Sequence, residues 1–254
     1  MITLNFKPTV AKTFTLAFMA AMLVFCTACS KSDDPAPEPV DPVNPGETVA
    51  FNKIITVLNF GADMPEGSQP LDEQSPIYFS LENNAAVPLA YKLTNRWDMS
   101  FSSIYRSFIG GNNGSNANNL GSGGPGKGGV VCLAKGFDEV TDVPADSEFK
   151  TASSVVGTDD SGIFGEGVGY YLYDFGGINK GDGSYDSQHV AFALPETRTV
   201  VIRTAKGNYA KISILSLYKD LLDSKLWKRN SPHTYVTFKY VLAKAGSKKF
   251  TVEN

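Results

Sequence analysis

The stretch Arg198–Tyr218 limits this chain more than any other, because its pattern fits two strands joined by a tight turn. Val200 and Ile202 alternate with Val201 and Arg203 in an extended, β-branched segment. Ala205-Lys-Gly-Asn208 is the turn, with Gly207 as the residue that tolerates a positive φ. The chain then resumes with Ala210, Ile212 and Ile214 on one face and Lys211 and Ser213 on the other. A further strand follows over Thr234–Leu242, after an interval, Tyr218–Trp227, whose Leu222 and Leu226 have the spacing of a short helix.

The rest of the chain agrees with an all-β reading. It has 24 Gly and 14 Pro among its 254 residues, many aromatics and few long helical periodicities. Strands are expected over Phe51–Phe60 and Ile77–Leu81, and His189–Leu194 leads into the central hairpin, with His189 preceding a strand. Trp97 and Phe101 are expected to anchor a core, and Asp98 to bind local backbone. The glycine-rich segment Ile109–Gly129 lacks the Ser/Thr after the lysine and the strand–loop–helix setting of a phosphate cradle, so it is expected to be a mobile surface loop. The formal net charge of −3 provides no basic face for nucleic acid. Two histidines far apart in sequence, with no nucleophile elbow or metal-spaced cluster, give no catalytic constellation, and a non-enzymatic protein is expected. Asp159, Asp160 and Asp182 read as turn residues.

The first segment reads as targeting. Lys7 and Lys12 precede the apolar run Phe14–Phe25, which is short for a membrane span. Thr27-Ala28-Cys29 then resembles a bacterial lipobox, with Cys26 standing where Leu is usual. On this reading residues 1–28 are a signal peptide, Cys29 is acylated (palmitate among its chains), and 29–50 is a tether. Proline and acids dominate Ser30–Glu47, a composition that stays extended and solvated. The Asp33-Asp34 pair resembles a surface-export signal. With Cys29 lipidated, Cys132 has no disulfide partner and reads as a buried structural thiol in the apolar run Gly129–Leu133. A single domain is expected over 51–254.

Several segments together resemble one family. They are Asn95-Arg-Trp-Asp-Met-Ser-Phe101, Gly128-Gly-Val-Val131, Phe137-Asp-Glu-Val-Thr-Asp-Val-Pro144, the hairpin core Val201–Ser216, and Tyr235-Val-Thr-Phe-Lys-Tyr-Val-Leu242. They resemble the HmuY proteins, outer-membrane lipoproteins of Gram-negative anaerobes. The resemblance implies a single antiparallel, hand-like β domain with one short helix before the last strand. It also implies haem as cofactor, scavenging from haemoproteins, transfer to an outer-membrane TonB-dependent receptor, and a lipid-anchored location at the outer membrane or cell surface.

The family's axial ligands, a His pair or a Met pair, are implied between the Val143-Pro144 motif and the central hairpin, one of them near Tyr173–Gly177. From Lys135 to Gln188, however, this chain has no His, Met or Cys. Tyrosine also ligates haem iron. The candidates are therefore Tyr171, Tyr173, Phe175, Tyr185 and His189 for the ligand, with His189 or Tyr173 on the metal. Tyr170 lies in the same run. His233, Met64 and Met99 are the other donors left, and a histidine at a strand start needs no ligand. The aromatic run Gly167–Gly177 reads either as a core strand or as a wall for a flat apolar ligand. The alternative function is a surface lipoprotein without haem that binds another small ligand, a glycan or a protein.

Overall fold

The computed structural model describes residues 48–64, 72–159 and 167–253; the leader, Cys29 and nearly all of the tether lie outside them. The described residues belong to one compact unit, Pro39–Asn254. Among the described residues eleven strands run in chain order: β1 Ile54–Gly61, β2 Glu73–Ser80, β3 Ala85–Val87, β4 Met99–Ile104, β5 Phe108–Gly111, β6 Gly129–Leu133, β7 Tyr171–Asp174, β8 Val190–Ala193, β9 Thr199–Arg203, β10 Tyr209–Tyr218 and β11 His233–Ala243. They form a five-stranded sheet ordered β1-β11-β10-β9-β6, a four-stranded sheet ordered β3-β2-β4-β5, and a β7-β8 ribbon. Each of these pairings is antiparallel. Among the described residues the helical segments are four single 3-10 turns.

The Arg198–Tyr218 hairpin forms as its sequence requires. Ile212 pairs with Val200 in β9 and with Tyr240 in β11, and Gly207 takes φ 93° in the turn. Ala210, Ile212 and Ile214 face the main core. The opposite face is covered as well, because the segment after β6 folds back across it. Lys211 is only 3% exposed, and its Nζ donates to the carbonyls of Phe137 at 2.9 Å and Val140 at 3.1 Å. Those two bonds are what make an ammonium tolerable there.

The two larger sheets pack through aromatic rings. Phe79 of β2 meets Phe238 of β11 edge-on at 5.4 Å and Phe60 of β1 at 4.9 Å, while Phe101 lies 5.9 Å from Phe60. Burying side chains of this size stabilises the fold by about 1.5–3 kcal/mol each. Trp97 and Phe101 are fully buried, as their sequence suggests. Asp98 reaches further than expected. Its carboxylate accepts N–H bonds from Leu81 and Glu82 and also from Ala205, so it ties β2 to the hairpin turn.

Two expectations are revised. The helix anticipated over Tyr218–Trp227 is a single 3-10 turn, Ser224–Leu226, with Leu222 and Leu226 exposed. Leu221 and Trp227 supply the burial instead, so helical spacing had no surface to act on. The Ile109–Gly129 segment is not a loose loop. Asn119 Nδ2 donates to Gly111 O and Thr151 O, Asn113 Nδ2 to Gly128 O, and Asn112 Nδ2 to Thr94 O and Trp97 O. Asparagine amides here replace the backbone partners that so many glycines cannot organise.

Cys132 lies on β6, partly buried, and desolvation pushes its thiol up to about 12. That fits a structural thiol.

Candidate functional site

A mostly apolar cavity of about 490 Å³ opens beside the β7-β8 ribbon. That volume lies in the range that takes a cofactor-sized ligand. Its walls come from the turn between β4 and β5, from β7 and β8, from the end of β10, and from the loop leading into β11.

The aromatic run is divided between core and cavity. Tyr170 and Tyr171 are buried, and their hydroxyls donate to Ser107 O at 2.8 Å and Ser107 Oγ at 3.1 Å. They anchor the β4–β5 turn against the ribbon, and burial pushes the Tyr171 phenol up to about 12. Tyr173, two residues on, points the same way along the pleat but is only half-buried, and with Tyr171 it lines the cavity. Phe175 stands at the mouth, 65% exposed. The run thus gives Tyr170 and Tyr171 to the core, and Tyr171, Tyr173 and Phe175 to the cavity wall.

His189 enters from the other side of the ribbon. Its backbone sits at φ 59°, and its N–H bonds Phe175 O. Its Nδ1 lies 2.8 Å from Tyr173 Oη, and its ring stands edge-on to Phe175 at 4.7 Å. Desolvation first, and then the Arg229 charge, hold its pKa below the usual imidazole value, so the neutral ring is favoured. Desolvation also raises the Tyr173 pKa, which keeps that group a phenol.

Sequence reasoning set His233 aside, yet the first residue of β11 lines the same cavity. Its Nδ1 lies 3.1 Å from Ser231 O. A carbonyl oxygen only accepts, so Nδ1 carries the hydrogen of this bond, and Nε2 is the ring nitrogen left for a further partner. Tyr105, another wall residue the sequence did not flag, meets this ring edge-on at 5.1 Å. A Pro-His pair entering a strand and a Tyr-Arg pair between two strands carry no local signature. Only the packing brings them together.

The cavity is also where the backbone is strained. Tyr105, Arg106, His189 and Thr234 all line it, and all have positive φ, at 53°, 50°, 59° and 68°. For a β-branched residue such as Thr234 this is a true outlier. It is held by Oγ1 donating to Ala62 O at 2.7 Å and by close passage of β1: a Cβ on Gly61 would lie 2.0 Å from Thr234 O. Strain of this kind gathers at ligand sites, where the surroundings fix it.

The remaining candidates lie elsewhere. Tyr185 is exposed in the 3-10 turn Tyr185–Ser187 and does not line the cavity, although its ring carries the Arg229 guanidinium at 4.4 Å. Met99 is buried in the core, and Met64 is not part of the cavity wall. Asp159 is more than a turn residue: Arg198 grips it with two bonds, at 3.0 and 2.7 Å. Asp174 and Asp182 do shape the loop after β7, accepting N–H bonds from Ile178, Asn179 and Lys180 and from Ser184 respectively.

The donor set restricts what could be held. Among the described residues no group of three His, Cys, Asp or Glu side chains is placed for a metal ion. Zinc sites in proteins supply three or four ligands. His189 and His233 both line this aromatic cavity, and a metal that brings its own ring of donors needs one or two from the protein.

No curated protein matches this chain. Among solved structures, one from Bacteroides fragilis NCTC 9343, described as a candidate lipoprotein, is 12% identical and covers 76% of this chain and 94% of its own, with a TM-score of 0.32. That likeness is too loose to argue from. The comparison with protein families matches residues 72–240 to the one described as HmuY protein, across all the sheets that wall the cavity, and the chain belongs to the HmuY family.

Proposed function

We propose that this chain is an exported, lipid-anchored protein of the outer membrane or cell surface that binds haem in the cavity beside the β7-β8 ribbon. It acquires haem from haemoproteins and passes it to an outer-membrane TonB-dependent receptor, and acts as a binding protein rather than an enzyme. The observation that carries this reading is the convergence of His189, His233 and Tyr173 on one apolar, aromatic cavity. His189 and His233 supply the iron donors through Nε2, and Tyr173 accepts from His189 Nδ1 and fixes that ring. Haem would be held through these donors, with its apolar face against the cavity walls. Cys29, outside the described residues, carries the lipid, and the tether 29–50 spaces the domain of 51–254 from the membrane. Spectroscopic titration with haem tests the reading: a saturable Soret shift supports it, and no shift in either redox state refutes it.

A second reading rests on the same hydrogen bond run the other way. If Tyr173 Oη donates to His189 Nδ1, then Nε2 carries the hydrogen and is no metal donor. The cavity would then hold another flat apolar ligand. Equal affinity for a metal-free porphyrin and haem would favour that arrangement.

A further inference from the structure

Among the described residues, the cavity wall has no aspartate or glutamate, and its full charges are two arginines, Arg106 and Arg229. They are not equivalent. Arg106 is buried, and its Nε and Nη1 donate to Ser75 O at 2.9 Å and Ala62 O at 3.0 Å. It is spent on holding the β4–β5 turn to the ends of β1 and β2. Arg229 sits in the loop before β11, held by its own N–H to Asp186 O at 2.8 Å. Its guanidinium lies over the Tyr185 ring at 4.4 Å and forms no ion pair with any described residue.

Stacking occupies the face of a guanidinium and leaves its N–H edge open, in the fork geometry that matches a carboxylate. The charge is felt inside the cavity, where it acts on Tyr105, Tyr173 and His189. Asp186, one residue from Tyr185, contributes its carbonyl to this arrangement. A held cation that no described carboxylate pairs with, in the wall of an apolar cavity, is a site for the acidic end of an apolar ligand.

We propose that Arg229, stacked on Tyr185, is the specificity residue of this cavity, and that it selects flat apolar ligands bearing a carboxylate. This rests on the cavity being a tetrapyrrole site, and deepens that reading by naming the head group. Tyr185 then has a role that its position outside the wall does not disclose. It pre-orders the guanidinium, which lowers the entropy lost when the carboxylate docks.

The test uses two metal-free probes, protoporphyrin IX and its dimethyl ester, titrated into the purified chain by porphyrin fluorescence. Without iron, axial donors do not contribute, so the head-group contact is isolated. The expected result is a preference of about tenfold or more for the free acid in the wild type. Arg229→Gln should bring the two probes to equal affinity, Arg229→Lys should keep part of the preference, and salt at about 0.5 M should shrink it. Equal binding of acid and ester by the wild type overturns the proposal and leaves the tetrapyrrole site standing, as does a preference that survives in Arg229→Gln. If neither porphyrin nor haem binds, the site reading falls and takes the proposal with it. The wild-type acid–ester comparison stands even if the glutamine variant fails to fold.

Discussion

Tyr173 Oη and His189 Nδ1 lie 2.8 Å apart, across the two strands of a short ribbon. Tyr173 pairs in register with Ala191, two residues beyond His189, so the contact depends on that register and on the φ of 59° that turns His189 inward. One hydrogen bond thus couples the fold of the ribbon to the chemistry of the cavity.

Tyr173→Phe removes the hydroxyl and keeps the ring. Partners that orient a ligating imidazole are worth roughly 10–100-fold in affinity. Haem affinity is expected to fall by that much while the Soret maximum of the bound form stays close to the wild type. A variant that binds as tightly as the wild type would show that the hydrogen bond does not position His189.

Gly61→Ala places a methyl group 2.0 Å from Thr234 O. The next strand must move, and with it the entry of β11 that carries His233. A loss of about 2–4 kcal/mol is expected in urea unfolding, together with weaker haem binding. Weakened binding at unchanged stability would place the effect in the cavity alone.

The Asp98 carboxyl is pushed up to about 6, first by desolvation and then by the Glu82 charge. A folded pKa above the ordinary 3.8 means the folded state holds the proton more tightly. The contribution of Asp98 is therefore complete below about pH 4 and is lost as pH rises through 6. In Asp98→Asn an amide N–H faces the Ala205 N–H, at a cost of about 1–3 kcal/mol near neutrality. The gap between wild type and variant is expected to widen between pH 7 and pH 4.5. Unfolding curves at the two pH values check this, and a narrowing gap would contradict it.

If Cys29 carries the lipid, Cys29→Ser should move the protein from the membrane fraction to the soluble exported fraction and abolish labelling with a fatty-acid analogue. Labelling that persists would place the acyl group elsewhere.

The central hairpin was legible because β-branched alternation and a turn glycine are local signals. So were the anchors Trp97 and Phe101, whose size leaves few places outside a core. The site was legible only in part. Tyr171, Tyr173 and Phe175 share one aromatic run, and His189 is one of the few imidazole or thioether donors in the chain, so both signals were local. Arg229 and His233 come from the entry of β11 and Tyr105 from the β4–β5 turn, and no spacing rule links residues that only tertiary packing brings together. Tyr185, a ligand candidate on its sequence, stands under the Arg229 guanidinium and outside the cavity wall. The Ile109–Gly129 segment misled because glycine content signals freedom, while its buried asparagine bonds remove that freedom.

The central claim is that this cavity binds haem through imidazole donors, and titration of the purified chain with haem tests it most directly, in the ferric and the ferrous state. A saturable Soret shift at one equivalent is expected, weakened in His189→Ala and in His233→Ala and lost in the double variant. No shift with the wild type in either redox state, or an unchanged shift in the double variant, would contradict it.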